Sequence, residues 1–362
     1  MNIRPVMRSS EPPAHPLQVS RLGDARIAAG LNSLLFMKVY ARFVLRFATI
    51  VSLMMCASAS LAADIYPSKP GRLILPFGAG ASTDIIGRIF AQRFSEAWGQ
   101  TLVVDNRPGA AGVLGTELAS KAAPDGYTIF TYGINQTITP NLYNKLPYDP
   151  RRDFIPVSLY ATMPNILCVN PSLPVRNVSE FVKFIKANPG KYKYASSGVG
   201  ASPHLTMELF KAVTSIDLVH VPYKVASQGY AETISGEIQG FFFNLPGPLP
   251  HVKAGRLRAL AVTSAKRAEQ VPDVPTIMES GIPDFEVTVW QGYAMPKGTS
   301  KAHLARIHAA MMKALASPDL KQRFFDNGVA AAPQTPDEFV KFIGVEKSKW
   351  KKAVALSGAK VE

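Results

Sequence analysis

Cysteine is scarce in this chain: 362 residues contain two, Cys56 and Cys168. Cys56 falls in a segment read below as an export signal, so the mature protein keeps Cys168 alone and has no intrachain disulfide. Long apolar runs are also missing. The run Phe47–Cys56 has ten residues, where a membrane-spanning helix needs about 20. His204, His220, His251, His303 and His308 stand singly, without the spacing of a zinc site, so no metal is expected. No cofactor motif is complete: Thr83 and Pro203 stand where G-x-G-x-x-G requires its last glycine, and no Gly-Lys of a P-loop follows. Tyr194-Ala195 precede Ser196-Ser197, so the G-x-S-x-G elbow of a hydrolase is absent. No basic run interleaved with aromatics occurs, which argues against nucleic acid as a partner.

What the chain does have is two short loops of glycine and hydroxyl residues. The first is Pro76-Phe77-Gly78-Ala79-Gly80-Ala81-Ser82-Thr83-Asp84, after the extended segment Arg72–Leu75. The second is Ser196-Ser197-Gly198-Val199-Gly200-Ala201-Ser202-Pro203-His204, after Lys191–Ala195. Each opens an amphipathic helix. Glycine lets the backbone turn tightly and approach a ligand, and a helix N-terminus offers unpaired N–H donors with partial positive charge. Two such loops in separate halves predict a small anion held between two lobes.

The N-terminus has the pattern of an export signal. Lys38, Arg42 and Arg46 precede Phe47–Cys56, and small residues follow up to Ser60-Leu61-Ala62. Cleavage is expected after Ala62, with residues 1–62 as leader and signal, and Met37 as the expected start of translation. The formal charge is +14; Arg4, Arg8, Arg21, Arg26, Lys38, Arg42 and Arg46 against Glu11 and Asp24 account for +5, leaving +9 on the rest. That diffuse positive field suits anionic solutes, and equally plain solubility.

Beyond residue 63, short apolar strands alternate with helical stretches, the α/β pattern. Thr101–Val104, Tyr127–Tyr132, Ile166–Val169, Leu218–Val221, Ile238–Phe243, Leu257–Val262 and Trp290–Met295 read as strands. Helices follow each loop and cover Ala111–Ala122, Val178–Lys186, His303–Leu315 and Phe339–Ala353. Ser202 is the expected N-cap of the second-loop helix, with Pro203 at N1 and Leu205, Leu209, Phe210 and Val213 as its buried face. No internal repeat is evident. Segments near 159–169 and 286–295 read as crossings between lobes, one formed by 63–164 with 291–362 and the other by 165–290.

Further blocks extend the pattern: Val104–Ala110, Ala123–Thr128, Leu146–Pro150, Ala187–Lys191, Val219–Lys224, Arg258–Thr263 and Val271–Thr276. Together with the two loops they resemble the solute receptors of tripartite tricarboxylate transporters, the Bug family, from about Tyr66 to Val354. The resemblance implies a periplasmic two-lobe protein of type II binding-protein architecture, each lobe a mixed sheet flanked by helices, with two crossover segments. It implies a monomer that captures a small carboxylate between two β-α loops, partly through ordered water, without catalysis. The implied partners are inner-membrane transporter subunits or, alternatively, a sensor kinase.

Carried onto this chain, the resemblance puts Phe77, Gly78, Ala79, Gly80, Ser82, Thr83 and Asp84 in the first ligand loop. Ser196, Ser197, Gly198, Gly200, Ala201 and Ser202 form the second, with His204 on its helix. Gly133, Ile134 and Asn135 would line one wall, and Lys224, Phe243 and Asn244 the other. Some positions depart from the family pattern: Ala81 replaces a usual glycine, Val225 follows Lys224 where glycine is common, and Phe242-Phe243-Asn244 replaces Phe-Asp-Asn. Loss of that carboxylate makes the expected pocket less acidic and more apolar, in favour of an aromatic or aliphatic acid. The plain alternatives are that Asp84 only caps its helix, His204 and Phe243 only pack, and Lys224 is simply exposed.

Overall fold

The computed structural model describes residues 37–50 and 66–359. Residues 37–50 form a helix exposed along its length. The expected cleavage site after Ala62 lies outside the described residues. Among the described residues no helix is long and apolar enough to cross a membrane.

From Tyr66 onward strand and helix alternate. The first half contains β1 (Gly71–Leu75), α1 (Ser82–Trp98), β2 (Leu102–Asn106), α2 (Val113–Ser120), β3 (Thr128–Gly133), the single turn α3 (Asn135–Ile138) and β4 (Phe154–Val169). Then come α4 (Val178–Lys186), β5 (Lys193–Ser196), α5 (Ser202–Thr214), β6 (Val219–Pro222), α6 (Ala226–Ser235), β7 (Gly240–Asn244), α7 (Leu249–Lys253) and β8 (Arg258–Val262). The chain closes with β9 (Thr288–Pro296), α8 (Lys301–Ala316), α9 (Pro318–Asp326), β10 (Ala330–Ala331) and α10 (Pro336–Ser357).

The strands run in the order β2-β1-β3-β9-β4-β7-β5-β6, with β8 and β10 also on β4. Parallel pairs stand at both ends: β1 with β2 and β3, and β5 with β6 and β7. Antiparallel β9 and β4 join them in the middle. This is the two-lobe α/β architecture of periplasmic binding proteins, with β4 and β9 as the long central strands. β4 changes partner part-way: Phe154–Pro164 pairs with β9, and Asn165–Val169 pairs with β7 and β8. Pro164 has no N–H to donate, so it marks the place where one ladder ends. Asn165 follows fully buried, and its Nδ2 donates to Ser202 Oγ at 3.3 Å and Thr206 Oγ1 at 2.8 Å. The strand that joins the two halves thus holds the first turn of α5.

Helix α10 packs back on the central strands. It starts at a capping box, Thr335 with Glu338, and carries Pro336 in its first turn. Its buried Glu346 accepts from the indole N–H of Trp290 at 2.7 Å and of Trp350 at 3.2 Å. Phe339 meets Trp290 edge-on at 5.9 Å. Under α1, Tyr160 and Tyr293 stack at 4.4 Å and Phe90 of the helix packs tilted against both at 5.3 and 4.8 Å, so the helix that opens at the first loop is seated on an aromatic floor.

Local readings needed correction. The N-cap of α5 is Ala201, not Ser202; Ser202 is the first helical residue, and no side chain caps the turn. Val213 is 48% exposed and lies off the buried face. Ala111 belongs to a short 3-10 turn, and the following helix begins only at Val113. The strand 166–169 is the C-terminal end of the longer β4, and 290–295 is the inner part of β9.

Candidate functional site

From the second glycine onward the two loops share one conformation, though φ is positive at Gly198 (+113°) and not at Gly78. Gly80 and Gly200 both take left-handed φ, +77° and +87°. Ala81 and Ala201 follow as N-caps with φ, ψ of −69°, 154° and −72°, 157°. In each, the alanine N–H bonds back to the first glycine carbonyl, Ala81 to Gly78 at 3.3 Å and Ala201 to Gly198 at 3.1 Å. A side chain four residues on then takes the N–H of the second glycine: Asp84 Oδ2 from Gly80 at 3.0 Å, and His204 Nδ1 from Gly200 at 3.2 Å. Both loops read Gly-x-Gly-Ala-Ser, a five-residue repeat in a chain expected to have none. Each ends in a helix whose first N–H groups have no partner within the helix.

Behind the first loop the brace is charged. Asp84 Oδ1 pairs with Arg88 Nε at 2.8 Å, Arg88 donates to Asn106 Oδ1 at 3.0 Å, and Asn106 Nδ2 returns to Phe77 O at 3.0 Å. Asp84 is buried and turned into this ring, and does not line the cavity.

Behind the second loop the brace is aromatic and neutral. His204 and His220 lie 4.3 Å apart, and His220 stacks on Tyr194 at 4.8 Å. Burial, then Lys211, holds His204 down to about 4. His220 is held down to about 3 by burial and then His204, with Lys211 adding to the shift and Glu208 opposing it. The Tyr194 phenol donates to Glu208, which Lys211 also meets at 3.0 Å. Ser196 Oγ lies 2.6 Å from His220 Nε2 and accepts from Gly198 N–H at 3.1 Å. Ser196 is fully buried and His220 half-buried, and neither lines the cavity, so the pair shapes the loop.

Between the loops lies a cavity with about 50 Å³ of space open to the centre of a water molecule. Of the residues singled out in the sequence, Phe77, Ser82, Thr83, Gly133, Ile134, Asn135, Ser197, Ser202, Phe243 and Asn244 line it. Gly78, Ala79, Gly80, Asp84, Ser196, Gly198, Gly200, Ala201, His204 and Lys224 do not. Most of these shape or brace the loops; Lys224 is exposed. Bonds tie the walls together: Ser82 Oγ donates to Asn244 O at 3.1 Å, and Asn135 Nδ2 to Gly200 O at 3.4 Å.

Sequence reasoning missed Thr131, Gln136, Ala226, Tyr230, Val289, Trp290 and Gln291, which also line the cavity. Gln291 had a signal, a lone amide in an apolar strand. It is 4% exposed, donates to Thr83 Oγ1 at 2.8 Å and accepts from Tyr160 at 2.7 Å.

Comparison with known proteins agrees with this geometry. The family model described as the tripartite tricarboxylate transporter family receptor matches residues 86–358. The chain belongs to that receptor family. Among curated relatives, the protein BugT of Bordetella pertussis is 33% identical over 84% of this chain and 94% of its own. A solved periplasmic transporter is 39% identical, with a TM-score of 0.79 over 82% of this receptor and 100% of that chain. The R. palustris protein Rpa4515, solved with adipate, is 32% identical, also with a TM-score of 0.79 and the same coverage.

Proposed function

We propose that this receptor is exported to the periplasm, holds a small carboxylate between its two Gly-x-Gly-Ala-Ser loops and performs no chemistry on it. One observation carries the reading: two helix N-termini of the same backbone form open onto a single cavity, each with a serine at its first position. Adipate in the R. palustris relative supports a carboxylate as the ligand class. The lobes are 63–164 with 291–362, and 165–290; the change of partner along β4 at Pro164 supports that boundary. The receptor acts as a monomer and delivers its ligand to inner-membrane transporter subunits.

The energetics are adequate. Hydrogen bonds to a charged group contribute about 1.5–3 kcal/mol each. Four or five give roughly 8–12 kcal/mol before ordering and closure are deducted, and about −8 kcal/mol corresponds to ~1 μM.

The test is calorimetric titration of the protein with short mono-, di- and tricarboxylates and their primary amides. Binding of an acid and not of its amide is expected. Equal binding of acid and amide contradicts an anion site.

A further inference from the structure

We infer that the ligand carries a single negative charge on an uncharged, apolar body: a small monocarboxylate. The inference rests on the proposal above that the cavity takes a carboxylate, and adds how many charges it accommodates.

Among the described residues that line the cavity, none is charged. The nearby charges are committed elsewhere, since Asp84 is paired with Arg88 and Lys224 is exposed outside the lining. The carboxamides are committed in part. Asn135 Nδ2 is given to Ala111 O and Gly200 O, Gln136 Nε2 to Thr116 Oγ1, and Gln291 Nε2 to Thr83 Oγ1. Asn244 Nδ2 reaches only Met163 Sδ, at 4.0 Å.

The donors left over belong to the two helix starts, a few hydroxyls, the Asn244 carboxamide and the second N–H of Gln136 and of Gln291, all of them uncharged. Thr131 Oγ1, buried in the lining, is within hydrogen-bonding reach of the Tyr160 phenol and is not counted among them. The rest of the surface is carbon: Phe77, Ala226, Tyr230, Phe243, Val289 and Trp290. Tyr230 and Phe243 meet edge to face at 4.9 Å, and the Trp290 indole N–H is already donated to Glu346.

These features set the charge count. One carboxylate is satisfied by the loop donors. A second, buried with no counter-charge and only uncharged donors, loses its hydration without full replacement, whereas a methyl group at the same place gains by leaving water.

The experiment is calorimetry on the full chain with matched pairs that exchange a methyl or hydrogen for a carboxylate: butyrate and succinate, hexanoate and adipate, benzoate and terephthalate. Butyramide, hexanamide and benzamide complete the set. In the best-fitting pair the monoacid is expected to bind about a hundredfold tighter than its diacid, and its amide to bind far more weakly. A diacid that binds as well or better overturns the single-charge inference and leaves the carboxylate reading standing. An amide that matches its acid overturns the carboxylate reading itself. No binding by any compound overturns both. Asn244→Lys supplies a cation at a half-buried wall position and should raise diacid affinity at least about tenfold; an unchanged preference at an unchanged melting temperature counts against the inference.

Discussion

The loop from Gly78 to Asp84 and the loop from Gly198 to His204 differ at their first glycine, positive in φ only at Gly198 (+113°), and converge from the second, with left-handed glycines at φ +77° and +87° and N-cap alanines whose dihedrals agree within a few degrees. What stands behind them differs. Asp84 braces the first through a charge shared with half-exposed Arg88. His204 braces the second as a neutral ring packed on His220 and, through it, Tyr194. The same N–H, that of the second glycine, is satisfied by a carboxylate in one case and an imidazole nitrogen in the other. One loop form can therefore be built on a solvent-screened ion pair or on a buried stack, and the two should fail under different conditions.

The largest contrast is expected at the second glycines. Left-handed φ makes any Cβ unfavourable by about 1–2 kcal/mol at both positions. A Cβ at Gly200 would also lie 2.9 Å from Leu142 Cδ1, while one at Gly80 meets nothing within 4 Å. Gly200→Ala should destabilise by about 2–4 kcal/mol and Gly80→Ala by about 1–2 kcal/mol, as read by denaturant unfolding. Equal losses would remove the packing difference.

Truncating the braces comes next. His204→Ala should cost about 2–3 kcal/mol, because it removes a buried ring and orphans the Gly200 N–H. Asp84→Ala should cost about 1–2 kcal/mol, because Arg88 is 54% exposed and the pair is screened by solvent. In about 1 M salt, where screening acts over about 3 Å, the Asp84 effect should shrink and the His204 effect should not.

Acid separates the loops in a third way. His204 and His220 fold with values near 4 and 3, below the ordinary 6.5. Between those limits the unfolded chain binds more protons than the folded one, so stability is full above about pH 6.5 and falls as pH drops toward 4 and 3. His220→Gln should flatten that slope in a series of melting curves. The smallest effect belongs to Lys224→Ala, which should leave stability within about 0.5 kcal/mol and ligand affinity nearly unchanged. A large loss of affinity there would bring Lys224 into the site.

The loops and the short parallel strands were legible because glycine after an apolar extended run has few other meanings. The far wall was not. The buried face of α6 is Ala226, Gly229, Tyr230 and Thr233, small or polar residues apart from the tyrosine, so no apolar stripe marked Tyr230 as facing a cavity. β4 runs through Pro156 and Pro164, residues that normally end a strand, and its length became visible only in the pairing with β9 and β7. Ser202 looked like a cap because serine is a good one. The backbone instead places it one residue inside the helix, where Asn165 holds its hydroxyl. His204 was singled out for a ligand and lies behind the loop, because its ring is needed to take the Gly200 N–H.

The central claim is that both loops hold one anion. The most direct test is the affinity of the tightest-binding acid for Thr83→Ala and Ser197→Ala, one hydroxyl from each loop's side of the cavity. The account predicts that each substitution alone weakens binding by about five- to tenfold, roughly 1 kcal/mol or more. An affinity unchanged by either one would mean that the anion is held by a single loop, and would contradict the account.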